Sequence, residues 1–170
     1  MKVLTRKDAS ISDIRSLNGA GVALSKGTTS EKLFLQLREK EIQTMALQTF
    51  PSNVEALKAL TEDKVSAFPQ DDVLLSGVIS TLPDRDRYIL AGEYLSIEPY
   101  AIMVRKEDKA LLALVDATLA SLYGSGEIHR IYDRWFNTSQ LQVPISRLTR
   151  EAFTRPSRDS GFAKVLGYTL

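Results

Sequence analysis

The segment from residue 22 to residue 31 constrains the fold most, because it combines a short buried strand, a sharp turn and a helix start. Val22 begins an apolar run, and Gly27 can adopt the positive φ that lets backbone approach a ligand closely. Thr28, followed three residues later by Glu31, forms a capping box that places the helix start at about Thr29. The sequence therefore predicts a strand, a turn and a helix in direct succession.

This turn has two possible roles. In one, its hydroxyl groups only cap the helix. In the other, the first helical amides and the positive end of the helix dipole bind a carboxylate or a phosphate, and Ser25, Thr28 and Thr29 add side-chain donors. Lys26 precedes a single glycine, so the segment is neither of the two glycine-rich phosphate-loop signatures.

Strands and helices alternate along the first half of the chain. A second capping box, Ser52 with Glu55, starts a helix whose predicted apolar stripe is Val54, Leu57 and Leu60. Such alternation with short links predicts an α/β fold with a parallel-rich sheet flanked by helices, and ligands lie outside the carboxyl ends of such strands. The other predicted strands are residues 2–6, 45–48, 65–68, 88–91 and 99–105, and the predicted helices are 29–40, 53–61, 73–79 and a short turn at 12–17 capped by Ser12.

The character of the sequence changes after residue 109. Apolar residues recur at helical spacing over residues 111–122, and a second helix is predicted at 128–136 after a glycine-rich turn. Residues 138–170 contain prolines among polar residues and are expected to form an irregular tail.

Composition excludes several classes of site. The chain of 170 residues has 22 Lys and Arg against 21 Asp and Glu, without a basic run, so nucleic acid is not an expected partner. It has no cysteine and one histidine, His129, which leaves no ligand set for zinc and no cofactor or metal to expect. We therefore do not expect an enzyme. Residues 1–7 have too short an apolar stretch for a signal peptide, and no segment approaches the ~18 apolar residues of a membrane helix.

Asp71 and Asp72 follow a predicted strand. Capping of the next helix is one role for Asp72, and adjacent residues at a helix start diverge too much for a paired-carboxylate site. Asp71 lies at the same predicted sheet edge as Thr28, where it could accept hydrogen bonds from an ammonium group. A carboxylate-binding helix start and an ammonium-binding Asp at one edge would suit a zwitterion such as a free amino acid.

Four segments in order resemble the second half of the periplasmic amino-acid-binding proteins of ABC importers, in particular the glutamate/aspartate-binding branch. The resemblance covers about residues 2–150. Its segments are GVALSKGTTSE (21–31), AFPQDDVLL (67–75), PYAIMVRK (99–106) and GEIHRIYDRWF (126–136).

The resemblance implies one lobe of a two-lobed α/β fold that closes around its ligand. Residues 1–105 would be the ligand-binding second lobe, with hinge strands at 1–5 and 98–105. Residues 106–137 would be helices that return to the first lobe, and 138–170 the tail. Matched position by position, Ser25, Thr28 and Thr29 would hold the ligand α-carboxylate or side chain, Asp71 the α-ammonium, and Asn53 would help to select the side chain.

The implied function is the solute-binding component of an ABC importer for glutamate, aspartate or another polar amino acid. Its partners would be the free amino acid and a membrane permease, and its compartment the periplasm. Most of the family's first lobe has no counterpart in this sequence. The alternative is a sensory or interaction module on the same scaffold that no longer binds an amino acid.

The C-terminal helices would then lack the surface that covers them in the family. Their apolar stripes include Leu112, Val115, Ile131 and Trp135. Leaving such side chains in water forgoes roughly 1.5–3 kcal/mol each. We therefore expect these helices either to fold back on the lobe or to exchange between two chains of a homodimer, with the tail helping to cover them.

Overall fold

The structure is a computed structural model that describes residues 1–96 and 100–157. The chain divides into two compact units, Met1–Ser96 and Ile97–Leu170. Most of the described helices and strands lie within two residues of their predicted positions, because capping boxes and apolar periodicity are local signals.

The first unit is built on a five-stranded sheet with the strand order β3-β2-β4-β1-β5. β2 runs parallel to both β3 and β4, whereas β1 runs antiparallel to both β4 and β5. The sheet is therefore mixed, with its parallel part formed by β3, β2 and β4, and the predicted α/β fold with a sheet flanked by helices is confirmed. The strands are β1 (Lys2–Arg6), β2 (Gly21–Ser25), β3 (Ala46–Phe50), β4 (Ala67–Gln70) and β5 (Tyr88–Ala91).

Three α-helices follow the parallel strands. α1 covers Thr29–Lys40, α2 covers Asn53–Thr61 and α3 covers Asp72–Thr81. The predicted hydroxyl caps are confirmed: Thr28 Oγ1 accepts from the Glu31 amide at 3.2 Å, and Ser52 Oγ accepts from the Glu55 amide at 3.3 Å. The reciprocal bonds differ from those of a capping box, since Glu31 Oε2 accepts from the Gly27 amide and Glu55 Oε2 from Ser52 Oγ. Short 3-10 helices lie at Lys7–Ala9, Arg15–Leu17 and Arg85–Arg87.

The predicted cap of the turn at residues 12–17 is wrong. The Asp13 carboxylate, rather than the Ser12 hydroxyl, accepts from the Ser16 amide at 2.9 Å, and the helical turn begins only at Arg15. Ser and Asp side chains both favour such turns by accepting hydrogen bonds from nearby backbone amides. In this turn the acceptor is the Asp13 carboxylate.

Apolar side chains form one cluster on each face of the sheet. Phe34 of α1 packs with Val22 and Leu24 of β2 on one face, and Leu60 of α2 packs with Leu4 and Phe68 on the other. Alternate strand residues enter opposite clusters, as the period of two in a strand requires.

The predicted apolar stripe of α2 needs one correction. Val54 is 75% exposed, whereas Leu60 is fully buried and Ala56 and Ala59 pack beside it. The small alanines let the helix approach the sheet, so the buried face is rotated away from Val54.

Over residues 100–157 the second unit contains three α-helices: α4 (Lys109–Gly124), α5 (Glu127–Phe136) and α6 (Arg147–Thr154). The expectation of an irregular tail is wrong for 147–154, since this segment forms α6 with Ser146 accepting from the Thr149 amide at 3.0 Å. Phe153 of α6 contacts the rings of Tyr123, His129 and Tyr132 at centroid distances of 5.8, 5.3 and 5.9 Å. The part of the predicted tail from 158 to 170 lies outside the described residues.

The predicted strand at 98–105 is not present over 100–105, which has no strand pairing in the structure, and its first two residues lie outside the described chain. No single helix of the described chain is long and apolar enough to cross a membrane. α4 and α5 meet that test only when taken together, and they are bent by 88° at their junction.

Candidate functional site

Three helix N-termini lie at one edge of the first unit's sheet. Because β2, β3 and β4 are parallel, their carboxyl ends share an edge, and each is followed within a few residues by α1, α2 or α3. The first turn of a helix presents unpaired amides and partial positive charge. This edge is therefore electrostatically suited to a negatively charged group.

The turn between β2 and α1 is held by its own residues. Gly27 has a φ of 76°, a left-handed conformation that favours glycine. The Gly27 amide donates to Glu31 Oε2 at 2.7 Å, and Thr28 Oγ1 donates to the Ser25 carbonyl at 2.7 Å. Because the Thr28 hydroxyl both donates and accepts within the turn, it caps the helix, and an anion would meet mainly backbone amides here. Thr29 is the first residue of α1, at the same edge.

Asn53 joins the ends of two neighbouring strands to the start of α2. Its Oδ1 accepts hydrogen bonds from Ser25 Oγ at 2.5 Å and from Gln70 Nε2 at 2.9 Å. Ser25 and Gln70 are only 3% and 6% exposed, whereas Asn53 is exposed. Among the residues that the structure describes, the Asn53 amide nitrogen makes no hydrogen bond, so both of its N–H groups are available to a ligand.

Gln70 extends this network to α3. Its Oε1 accepts from the Asp71 amide at 3.0 Å, so Gln70 is satisfied at both ends of its side-chain amide. The sequence prediction did not include Gln70. Its only local signal is its position as the last residue of a strand directly before Asp71, and the link to Asn53 depends on the packing of α2.

Asp71 and Asp72 have different contacts, because the side chains of adjacent residues at a helix start point in different directions. Asp71 occupies the N-cap position of α3, yet its side chain makes no capping hydrogen bond with that helix. Asp72 Oδ2 accepts from Tyr94 Oη at 2.9 Å, which fixes its carboxylate away from Asp71. Tyr94 in turn lies beneath Lys2 Nζ, 4.9 Å from the ring centroid.

The structure thus joins the side chains of Ser25, Asn53 and Gln70, reaches Asp71 only through its backbone amide, and places Thr28 and Thr29 in the adjoining turn. His129 lies in the second unit, with its ring 5.3 Å from that of Phe153 in an edge-to-face contact. Within residues 1–96 and 100–157, no group of three or more His, Cys, Asp or Glu side chains could hold a metal ion.

Known proteins are similar to this chain in sequence. The family model described as bacterial extracellular solute-binding proteins, family 3, matches residues 1–138. The L-glutamate/L-aspartate-binding protein of Pseudomonas aeruginosa is 31% identical over 162 residues, which cover 92% of this chain and 54% of that protein. The glutamate/aspartate import solute-binding protein of Escherichia coli is 32% identical over 135 residues, which cover 79% of this chain and 45% of that protein.

A solved structure is similar to this chain in fold. An ancestral arginine-binding protein bound to arginine has a TM-score of 0.66 and 26% identity, covering 79% of this chain and 59% of the other. The chain thus spans about half the length of the curated relatives it matches.

Proposed function

Because this chain belongs to the bacterial extracellular solute-binding proteins of family 3, we propose that it binds a free amino acid as part of the solute-binding component of an ABC importer. The network that joins Ser25, Asn53, Gln70 and Asp71 across the sheet edge carries the proposal. A zwitterion needs donors for its carboxylate and an acceptor for its ammonium; the first amides of α1 would supply the donors and the Asp71 carboxylate the acceptor.

Each part of the ligand has a proposed site. The α-carboxylate would accept hydrogen bonds from backbone amides in the first turn of α1, next to Thr28 and Thr29, where the helix dipole favours negative charge. The α-ammonium would donate to Asp71. The side chain would meet Asn53, whose amide nitrogen is available at the exposed end of the network.

We propose that the ligand has an acidic or polar side chain, with glutamate and aspartate first. The available N–H groups of the Asn53 side chain would donate to an oxygen of the ligand side chain, whereas an apolar side chain could accept no such hydrogen bond. The names of the two sequence relatives, both glutamate/aspartate-binding proteins, support the same preference.

The proposal extends to partners and compartment. A membrane permease would receive the amino acid, and the site of action would be the periplasm; the name of the Escherichia coli relative, an import solute-binding protein, supports a role in uptake. The ligand-binding lobe would occupy residues 1–105, which include the compact unit Met1–Ser96.

Calorimetric titration of the folded chain with glutamate, aspartate, glutamine and arginine tests the proposal. We expect Asp71→Asn to weaken binding of the preferred amino acid by at least ~10-fold, because one charge-assisted hydrogen bond is lost. Asp72→Asn is the matched control. Because the Asp72 carboxylate accepts a hydrogen bond from Tyr94, Asp72→Asn should change the dissociation constant of the amino acid by no more than about threefold. The corresponding free energy is smaller than that of a typical neutral hydrogen bond.

Glutarate provides a second comparison, since it has the two carboxylates of glutamate but no ammonium. Binding of glutarate should be weak in the unchanged chain and insensitive to Asp71→Asn. If a folded sample releases no heat with any of the four amino acids, the proposed function is wrong for this chain.

A further inference from the structure

Asn18 and Gly19 form the dipeptide in which spontaneous deamidation is fastest, because a glycine leaves its own backbone nitrogen sterically open to the preceding side chain. The chain has three asparagines, and only Asn18 precedes a glycine. Both residues are exposed, so water and hydroxide ion can reach them. The pair precedes β2, whose other end carries Ser25, so it lies away from the proposed ligand site.

The pair occupies the centre of a type II β-turn. Asn18 has a φ of −59° and a ψ of 119°, and Gly19 has a φ of 76°. These angles are those of the two central residues of a type II turn, the second of which favours glycine. The Ala20 amide closes the turn by donating to the Leu17 carbonyl at 3.0 Å. The Ala20 carbonyl accepts from the Ala46 amide at 3.0 Å, which anchors the turn to the start of β3.

Thr44 bridges the two groups that react in a deamidation. The Gly19 amide donates to Thr44 Oγ1 at 3.0 Å, and the Thr44 hydroxyl donates to Asn18 Oδ1. A hydroxyl has one proton to donate and can also accept, so the two hydrogen bonds form together. Thr44 therefore holds both the backbone nitrogen that would attack and the side-chain amide that would be attacked.

We propose that Asn18 is a deamidation site whose reaction is slowed by Thr44 and by the type II turn. In this reaction the Gly19 nitrogen loses its proton to a base and attacks Asn18 Cγ. A bond between that nitrogen and Cγ forms, the bond between Cγ and Nδ2 breaks, and Nδ2 leaves as ammonia. Water then opens the five-membered imide at either of its carbonyls, which gives aspartate or isoaspartate. Nothing is oxidised or reduced, and water is the only other reactant consumed.

The native turn opposes closure of the imide ring. The ring requires the Gly19 nitrogen to eclipse Asn18 Cβ about the Cα–C bond, which for an L-residue corresponds to a ψ of about −120°. The observed ψ of 119° must therefore change by about 120° before the ring can close. That rotation opens the type II turn, and removal of the Gly19 amide proton breaks its hydrogen bond to Thr44.

The products differ from asparagine in charge and in length. Either product adds a carboxylate and lowers the formal net charge of the chain from +1 to 0, so ion-exchange chromatography separates it from the starting chain. Isoaspartate also adds one carbon to the main chain between Leu17, which is fully buried, and β2. The modification would therefore change the connection that enters the central part of the sheet.

Incubation of the folded chain at mildly alkaline pH, followed by peptide mapping, tests the proposal. The tryptic peptide 16–26, SLNGAGVALSK, contains Asn18 as its only asparagine and has no glutamine, so a mass gain of about 1 Da in this peptide reports the reaction. The same incubation in concentrated guanidinium chloride gives the rate without the turn. We expect the folded chain to react at least ~10-fold more slowly than the denatured chain, because the turn and two hydrogen bonds must be lost first.

Thr44→Val removes both hydrogen bonds with little change in shape, so it should raise the rate in the folded chain at least ~3-fold. Thr44→Ser keeps the hydroxyl and should stay within ~2-fold of the unchanged chain. Thr49→Val is the matched control, since it makes the same change at an exposed threonine of β3, and it should leave the rate unchanged. In guanidinium chloride all four chains should react equally fast.

Three results would overturn the proposal. They are a folded chain that reacts as fast as the denatured chain, a folded Thr44→Val variant that reacts no faster than the unchanged chain, and an equal acceleration by Thr49→Val. If circular dichroism shows that Thr44→Val does not fold, Thr44→Ala replaces it. None of these readouts depends on amino-acid binding, so the proposed function stands or falls separately.

Discussion

Asn53 and Ser25 are 28 residues apart in sequence, yet Ser25 Oγ donates to Asn53 Oδ1 at 2.5 Å. The same oxygen also accepts from Gln70 Nε2, so the first residue of α2 ties together the carboxyl ends of β2 and β4. One exposed side chain thus satisfies two buried donors. This makes Asn53 a structural residue as well as a candidate ligand contact.

Asn53→Ala should lower the free energy of unfolding by about 1–3 kcal/mol, because it leaves the buried Ser25 hydroxyl and the Gln70 amide without their acceptor. Urea denaturation followed by circular dichroism measures the change. Asn18→Ala is the control, since Asn18 accepts from Thr44 at an exposed position. Equal losses in both variants would show that burial of the network contributes nothing.

Leu60 and Val54 lie on the same helix, but truncation of Leu60 should destabilise the fold strongly and truncation of Val54 hardly at all. Leu60 is fully buried, so Leu60→Ala should cost about 2–5 kcal/mol of unfolding free energy through lost contacts and a cavity. Val54 is 75% exposed, so Val54→Ala should change the free energy of unfolding by no more than ~0.5 kcal/mol. Thermal and urea unfolding would reveal the contrast, and a large loss for Val54→Ala would place this residue in the core instead.

Thr5 and Ser30 are both fully buried but differ in hydrogen bonding. Thr5 Oγ1 donates to the Ser66 carbonyl at 2.8 Å, and Thr5→Val should therefore cost about 1–3 kcal/mol. Ser30 Oγ has no partner among the described residues. Ser30→Ala should be neutral or stabilising by up to ~1 kcal/mol, since it removes an unpaired buried hydroxyl. A marked loss of stability for Ser30→Ala would mean that this hydroxyl is bonded in solution.

Burial, aided by the nearby Asp84 charge, raises the pKa of Tyr88 above its ordinary value of 10.0. The folded chain therefore holds this proton more tightly than the unfolded chain does. Its contribution to stability is complete below about pH 10 and is lost as the pH rises through the pKa of the folded state. Unfolding free energies measured between pH 8 and pH 11 should fall less steeply for Tyr88→Phe than for the unchanged chain. Parallel curves would contradict the raised pKa.

Much of the local structure was predictable. The start of α1 at Thr29 and of α2 beside Ser52 followed from capping boxes, whose hydrogen bonds join residues three apart. α6 was missed because its only cap signal, Ser146 before Thr149, is weak and the flanking prolines favour irregular backbone. The edge location of Thr28 and Asp71 followed from strands that alternate with helices.

The sequence by itself determined where most strands and helices of the first unit begin and end, and that the polar residues of the proposed site follow strands that alternate with helices. Only the tertiary structure decided that β1 enters the sheet antiparallel to β4, that Gln70 joins Asn53, and that Val54 faces outward. The physical reason is the range of the interactions. Caps and periodicity act within one or two turns of chain, whereas strand direction, side-chain networks and the buried face of a helix depend on residues distant in sequence.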